Sequence, residues 1–136
     1  MRFVKLSQKE FQEIRKLYES VMSQACCGLF YREGMILGEE ITKIAKQEAD
    51  DYLGICSKLL RARGWIEDIR FENDIVYVTG SIEAGESDNP TCHRLRGIIQ
   101  KVVEGYEHAR KHCEEIECVS KGDKQCVFKL EESRSD

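Results

Sequence analysis

Hydrophobic residues recur at helical spacing through the first half of the chain. Ser7 followed by Glu10 has the pattern of a capping box, and apolar side chains recur at helical spacing after it, which predicts a helix that begins there. A second series of apolar residues with helical spacing covers residues 24–47. A third predicted helix covers roughly residues 49–62 and is terminated by Gly64. The first half of the chain is therefore predicted to form three helices.

The spacing then changes from helical to alternating. Residues 64–84 contain two alternating runs separated by an Asn-Asp turn, which predicts a β-hairpin. In its second strand we assign Ile75, Tyr77 and Thr79 to one alternating face and expect Tyr77 to point inward. This hairpin would form half of a sheet.

The rest of the chain is predicted to form one more helix, followed by a second hairpin. Asn89 is a good N-cap and Pro90 is tolerated at the first helical position, so the last long helix is predicted to start there. A second hairpin is predicted over about 113–130, followed by a solvated tail in residues 131–136.

The order of these elements predicts the fold class. Three helices, a hairpin, a helix and a hairpin are typical of an α+β fold, here an antiparallel sheet of two hairpins packed against a layer of helices. With 136 residues, the chain is predicted to be a single domain over residues 1–136.

Three glycines lie on nearly the same side of the second predicted helix. Gly28, Gly34 and Gly38 each cost about 1 kcal/mol of helix propensity relative to alanine. We therefore expect another helix to approach this side closely, either from the same chain or from a second copy in a homodimer.

Charge and hydropathy restrict the classes of partner. The 21 basic and 25 acidic residues give a net charge of −4, which predicts no general attraction to nucleic acid or to an anionic membrane. The sequence contains no apolar run of about 18 residues and no signal-peptide core. We expect a cytoplasmic protein that binds neither membrane nor nucleic acid.

The stretch CVSKGDKQC contains two of the seven cysteines. If its loop is centred on Gly122, paired residues have numbers that sum to 244, so that Cys118 faces Cys126 on the inner face and Glu115 faces Lys129 on the outer face. Two opposed inward cysteines are compatible with simple packing, a metal site or a disulfide. A reducing compartment favours packing or metal over a disulfide.

A third thiol belongs to the start of the last helix. Cys92 lies in its predicted first turn, where the helix dipole is expected to lower the pKa of a thiol. Zinc takes four ligands in a tetrahedron, and the two hairpin cysteines supply half of that set. The alternative for Cys92 is a thiol with no role.

Several short motifs together resemble the vinyl-4-reductase, or hydrocarbon-binding, domain family. The motifs are SIEA, CHRLRG at a helix start, ECVSKGDKQCVFKL and the glycine-containing LFYREGMILGEEI, and the resemblance covers about residues 28–130. It implies a fold shared with a trafficking-complex subunit and with sensory domains that bind aromatic effectors. It also implies zinc at Cys92, Cys118 and Cys126, and pairing into a homodimer.

The chain departs from those sensory domains in the loop before the last helix. Their loop is longer and supplies a further cysteine, whereas GSIEAGESDNPT contains none. We favour Glu83 as the fourth ligand, with Asp88, His93 or water as alternatives. Cys113 lies five residues before Cys118, so strand alternation predicts that it points to the opposite face.

The sequence favours a binding module over an enzyme. It contains no nucleotide-binding or phosphate-binding motif and no acid-base constellation, so nothing in it supports hydride transfer. We predict a sensory module that holds a small hydrophobic or aromatic molecule between sheet and helices and signals through a protein partner. A zinc-dependent or cysteine-dependent enzyme, or a thiol redox protein, is the alternative. The candidate ligand-binding residues, each of which has core packing as its alternative role, are Phe30, Tyr31, Trp65, Tyr77 and Ile99.

Overall fold

The computed structural model describes residues 1–48 and 50–133. The helices are α1 (Gln8–Met22), α2 (Cys26–Gln47), α3 (Tyr52–Ala62) and α4 (His93–Glu107). The strands are β1 (Asp68–Glu72), β2 (Ile75–Thr79), β3 (Lys111–Glu117) and β4 (Cys126–Glu132). The predicted start of the third helix at residue 49 and the tail residues 134–136 lie outside the described residues. Among the described helices, none is long and apolar enough to cross a membrane.

The four strands form one antiparallel sheet in the order β1-β2-β4-β3. The two hairpins lie side by side because β2 pairs with β4, with Val76 opposite Phe128. Both residues are fully buried in one core together with apolar side chains of α2, α3 and α4. The predicted α+β fold, with two hairpins against helices, is confirmed.

The inner face of β2 differs from the predicted one. Val76 and Val78 are fully buried in the core, whereas Tyr77 lies on the opposite face, with the Arg70 guanidinium 4.4 Å from its ring centroid. The prediction that Tyr77 points inward is wrong because both alternating series of this strand begin with apolar residues. Alternation alone does not choose between two apolar faces.

The last helix begins later than predicted. Asn89 and Pro90 precede it in a loop, and α4 starts at His93 with Cys92 in the N-cap position. The Cys92 side chain accepts no hydrogen bond from the backbone N–H groups at the start of the helix. The carboxylate of Glu83 accepts from the backbone N–H of Leu95 at 2.8 Å instead. A cap from a distant residue leaves no local sequence signal.

The glycine-rich side of α2 packs against α4 within the chain. A Cβ on Gly34 would overlap the Arg94 carbonyl oxygen, and one on Gly97 of α4 would overlap the Tyr31 carbonyl oxygen. A Cβ on Gly38 would lie 2.9 Å from the Ile98 Cα. The close approach of another helix at Gly34 and Gly38 is therefore made by α4 of the same chain. These glycines do not support the homodimer, which stays a prediction.

A bulge shifts the register of the C-terminal hairpin by one residue. Glu117 pairs with Val127, as predicted, but Glu115 pairs with Phe128 rather than with Lys129. The register changes between Glu115 and Glu117, and the inserted Ile116 is 42% exposed. The bulge explains why Cys113, predicted to face away, is fully buried in the core.

Candidate metal centre

Three cysteine sulfurs meet where α4 begins beside the C-terminal hairpin. Cys92 occupies the N-cap position of α4, Cys118 follows β3, and Cys126 begins β4. The sulfur of Cys92 lies 4.0 Å from that of Cys118 and 3.7 Å from that of Cys126. All three residues are buried, and none forms a disulfide. The structure thus brings together the three cysteines that the sequence analysis selected.

Glu115 completes this group. One ligand atom from each of Cys92, Glu115, Cys118 and Cys126 lies within 4.8 Å of all the others. Glu115 Oε1 accepts from the backbone N–H of Cys92 at 3.1 Å. Glu115 Oε2 is buried and has no hydrogen-bond partner among the described residues. A buried carboxylate oxygen without a partner is unfavourable, which suggests that a further group belongs beside it.

The geometry and chemistry of these four residues fit a tetrahedral zinc site. Zinc–sulfur bonds of about 2.3 Å place two sulfurs about 3.8 Å apart around a tetrahedron. The sulfur separations of 3.7 and 4.0 Å bracket that value. Three sulfurs and one carboxylate oxygen would fill all four positions with protein ligands, as in structural zinc sites.

Mutual contacts and burial shift the pKa values of the three cysteines and of Glu115. Hydrogen bonds from Cys126 and Cys92 hold the pKa of Cys118 well below its usual range. The hydrogen bond with Cys118 raises the pKa of Cys126 to about 12, and hydrogen bonds with Cys118 and Cys126 raise the pKa of Cys92 well above its usual value. The predicted lowering at Cys92 by the helix dipole is therefore outweighed by its sulfur contacts. Burial raises the pKa of Glu115 to about 9, so binding of a divalent cation would release protons.

Neighbouring polar groups hold the sulfurs in place. Cys92 Sγ donates to Ser81 Oγ at 3.2 Å, and the backbone N–H of Cys118 donates to Asp123 Oδ2 at 2.9 Å. Gly122 closes the intervening turn with a φ of 100°, a conformation that glycine adopts without strain. The loop between the two hairpin cysteines is thus fixed by its own hydrogen bonds.

Glu83, favoured from the sequence as the fourth ligand, does not belong to this group. It is 5% exposed, and its carboxylate accepts from the backbone N–H groups of Arg94 and Leu95 and from the Arg94 guanidinium at 3.4 Å. Its oxygens are therefore committed to the start of α4 and to an ion pair. Glu115 takes the expected place because the bulge in β3 moves it to the inner side, which the assumed register could not reveal.

A small cavity lies beside the metal centre, between α1, α2 and the start of α4. Its volume is about 10 Å³, close to the space that one water requires. Thr91 lies between the cavity and the cysteine cluster: it lines the cavity, and its hydroxyl oxygen lies 3.9 Å from Cys118 Sγ. The cavity is lined by Phe11, Arg15, Phe30, Glu83, Thr91 and Arg94.

Of the five predicted ligand-binding residues, only Phe30 lines this cavity. The Arg96 guanidinium lies over Tyr31, 3.8 Å from the centroid of the tyrosine ring. Trp65 packs against Phe11, with the two ring centroids 5.8 Å apart. Tyr77 is on the outer face of the sheet, and Ile99 is fully buried in the core. The structure does not bring the five together around one site.

Comparison with known proteins finds a family model that matches part of the second half of the chain. Residues 76–132 match the model of the V4R domain family. The match spans β2, α4, β3 and β4, and so includes all four residues of the candidate metal centre. The resemblance to the vinyl-4-reductase family is confirmed. No curated protein matches the chain.

Two solved structures share the fold. The phenol-responsive sensory domain of the transcription activator PoxR, solved with phenol, is 18% identical with a TM-score of 0.81; the alignment covers 97% of this chain and 77% of that one. A vinyl-4-reductase family protein from Methanocaldococcus jannaschii is 15% identical with a TM-score of 0.64, covering 98% of this chain and 99% of that one. At these identities the likeness establishes the fold.

Proposed function

We propose that this protein is a sensory module that binds a small aromatic or hydrophobic molecule and uses zinc as a structural brace. The observation that carries the zinc assignment is the convergence of Cys92, Cys118 and Cys126 around the unpartnered oxygen of Glu115. When bound, zinc would tie the start of α4 to both strands of the C-terminal hairpin. All four ligand positions would come from the chain, which favours a structural role over the alternative of a zinc enzyme.

The ligand site that we propose is the cavity between α1, α2 and α4. Its aromatic lining by Phe11 and Phe30, the V4R match and the likeness to a phenol-responsive sensory domain support this assignment. A cavity of about 10 Å³ is too small for an aromatic ring, so the ligand would have to displace part of the lining.

Helix α1 is the element that can move outward to admit a ligand. The side-chain amides of Gln8 and Gln12 hold it to the Ala84 carbonyl oxygen at 2.9 and 3.1 Å, and Phe11 rests against Trp65. Much of its remaining apolar surface is exposed, including Leu17 and Val21. Displacement of α1 would therefore break a small number of contacts and leave the core of α2, α4 and the sheet intact.

Zinc and ligand would act on the same short loop. Thr91 Oγ1 donates to the Glu83 backbone carbonyl at 2.9 Å, and both residues line the cavity, whereas Cys92 follows Thr91 directly. Ser81 accepts from the Cys92 thiol and from the Glu83 backbone N–H. Zinc binding would thus fix one wall of the ligand cavity. A homodimer, a protein partner that receives the signal and a cytoplasmic location complete the proposal and remain predictions.

Native mass spectrometry of the protein, purified without oxygen or chelator, tests this function. We expect a mass increase of one zinc ion per chain, and an additional organic mass that is released by solvent extraction and then identified. A thiol redox protein would instead carry no metal and show a reversible loss of two hydrogens. The latter result would reject the zinc-braced sensory module.

A further inference from the structure

Arg15 presents two buried donors beside the ligand cavity. It lies on α1, is 8% exposed and lines the cavity together with Phe11 and Phe30. Its Nη1 donates to Glu19 at 2.7 Å. Its Nε and Nη2 are buried and have no hydrogen-bond partner within residues 1–48 and 50–133. Buried guanidinium donors are normally satisfied, so these two atoms call for an acceptor that the chain does not supply.

The other arginine of the cavity is paired with two carboxylates. Arg94 Nε donates to Glu33 at 3.3 Å and its Nη1 donates to Glu83 at 3.4 Å. Its guanidinium also lies 4.2 Å from the centroid of the Phe30 ring. Arg94 is therefore held in the wall by two carboxylates, whereas Arg15 has two buried donors without a partner among the described residues.

The two free donors of Arg15 specify the shape and charge of that ligand. Nε and Nη2 are neighbouring donors on one edge of the planar guanidinium, and this edge matches the two oxygens of a carboxylate. Phe11 and Phe30 supply aromatic surface in the same cavity. A molecule that satisfies both features carries a carboxylate on an aromatic or similarly flat apolar body.

We propose that the cavity selects an aromatic carboxylate, bound through its two oxygens to Nε and Nη2 of Arg15, over neutral phenols of the same size. This inference rests on the proposed function, because it takes the cavity as the ligand site. It deepens that function by assigning the charge of the ligand and the residue that reads it. Because Arg15 belongs to α1, the bound carboxylate would also fix the position of the helix that covers the cavity.

Isothermal titration of the zinc-loaded full chain with benzoate, benzamide and phenol tests the proposal. Benzamide matches benzoate in shape and lacks its charge, and phenol represents the neutral aromatic class. We expect benzoate to bind at least tenfold more tightly than either neutral probe, since benzamide and phenol each present only one acceptor oxygen to the two unpartnered donors of Arg15. Arg15→Gln should abolish this preference, and Arg15→Lys should retain part of it.

Lys16→Gln provides the matched control, because it removes the same charge from an exposed neighbouring position on α1. It should leave the preference for benzoate unchanged, and zinc content and circular dichroism establish that each variant is folded. Equal binding of phenol and benzoate, or a preference that survives in Arg15→Gln, would overturn the carboxylate proposal while leaving the sensory function in place. Absence of binding by all three probes would overturn the cavity as the ligand site as well.

Discussion

Replacement of Glu115 by glutamine should have opposite effects on the zinc-loaded and the metal-free protein. With zinc, the substitution replaces a charged ligand by a neutral amide. A hundredfold loss in zinc affinity removes about 2.7 kcal/mol from the free energy of unfolding at a fixed saturating zinc concentration. For 136 residues, with an unfolding entropy of about 2.1 cal/mol/K per residue, this lowers Tm by about 9 °C.

Without metal, the same substitution should stabilise the protein at pH 7. Burial raises the pKa of Glu115 from 4.5 to about 9, so the group is ionised in the unfolded chain and must take up a proton on folding. A group with a raised pKa contributes its full stability below pH 4.5 and loses it as the pH rises toward 9. At pH 7 keeping Glu115 protonated in the folded protein is unfavourable, and glutamine avoids this cost because it stays neutral.

Thermal melts of the wild type and Glu115→Gln, each with excess zinc and with a strong chelator, measure both effects. Glu114→Gln is the matched control, because Glu114 is exposed on the other face of β3 and pairs with Lys129. It should shift Tm by no more than about 2 °C in either condition, as surface substitutions usually do. If Glu115→Gln lowers Tm equally in zinc and in chelator, Glu115 is not a zinc ligand and the four-residue site is refuted.

Three further predictions concern the cysteines, the helix contact and the assembly. Cys126→Ser should make Tm insensitive to chelator, whereas the wild type and Cys56→Ser should lose stability when metal is removed; an unchanged wild-type melt would contradict the brace. Gly34→Ala should destabilise the protein by about 1–3 kcal/mol in a denaturant titration, because the added Cβ overlaps the Arg94 backbone. Gly28→Ala, whose added Cβ has no neighbour within 4 Å, should be neutral or stabilising. Equal effects of the two substitutions would refute the close α2–α4 contact. Light scattering at micromolar concentration should give twice the chain mass of 15.7 kDa if the exposed apolar side chains of α1 and α2 pair, and a monomer mass would reject the dimer.

Local spacing was sufficient to predict most of the helices and strands. Helical and alternating periods are properties of short segments, so the capping box at Ser7 and both hairpins appear in the structure close to where the sequence places them. Spacing alone left packing, a metal site and a disulfide open for the opposed pair, and the resemblance to the vinyl-4-reductase family carried the selection of Cys92 together with Cys118 and Cys126.

The position of Glu115 beside the three cysteines could not be predicted because it depends on a single inserted residue. A bulge at Ile116 reverses the side to which all preceding residues of β3 point, and it therefore turns both Glu115 and Cys113 inward. Strict alternation assigned them to the outer face. Nothing in the local pattern of apolar residues marks where the extra residue is inserted.

The ligand cavity depends on contacts between distant segments, which local patterns do not encode. Arg15 was not selected from the sequence, because a basic residue on an amphipathic helix is normally exposed. Its burial results from the way α1 packs over Phe30 and the start of α4. Tyr77 was selected as a large side chain on the face of β2 that was taken as inward, but β2 has apolar residues on both faces and the structure places this one outside.

Anomalous X-ray scattering at the zinc absorption edge, from crystals of protein purified without chelator, would locate a zinc ion in the cysteine cluster. We expect one strong anomalous peak per chain, lying within bonding distance of the sulfurs of Cys92, Cys118 and Cys126 and of a carboxylate oxygen of Glu115. Zinc–sulfur distances of about 2.3 Å are expected at that position. Electron density without an anomalous peak there, or a disulfide between two of these cysteines, would contradict the zinc-braced module.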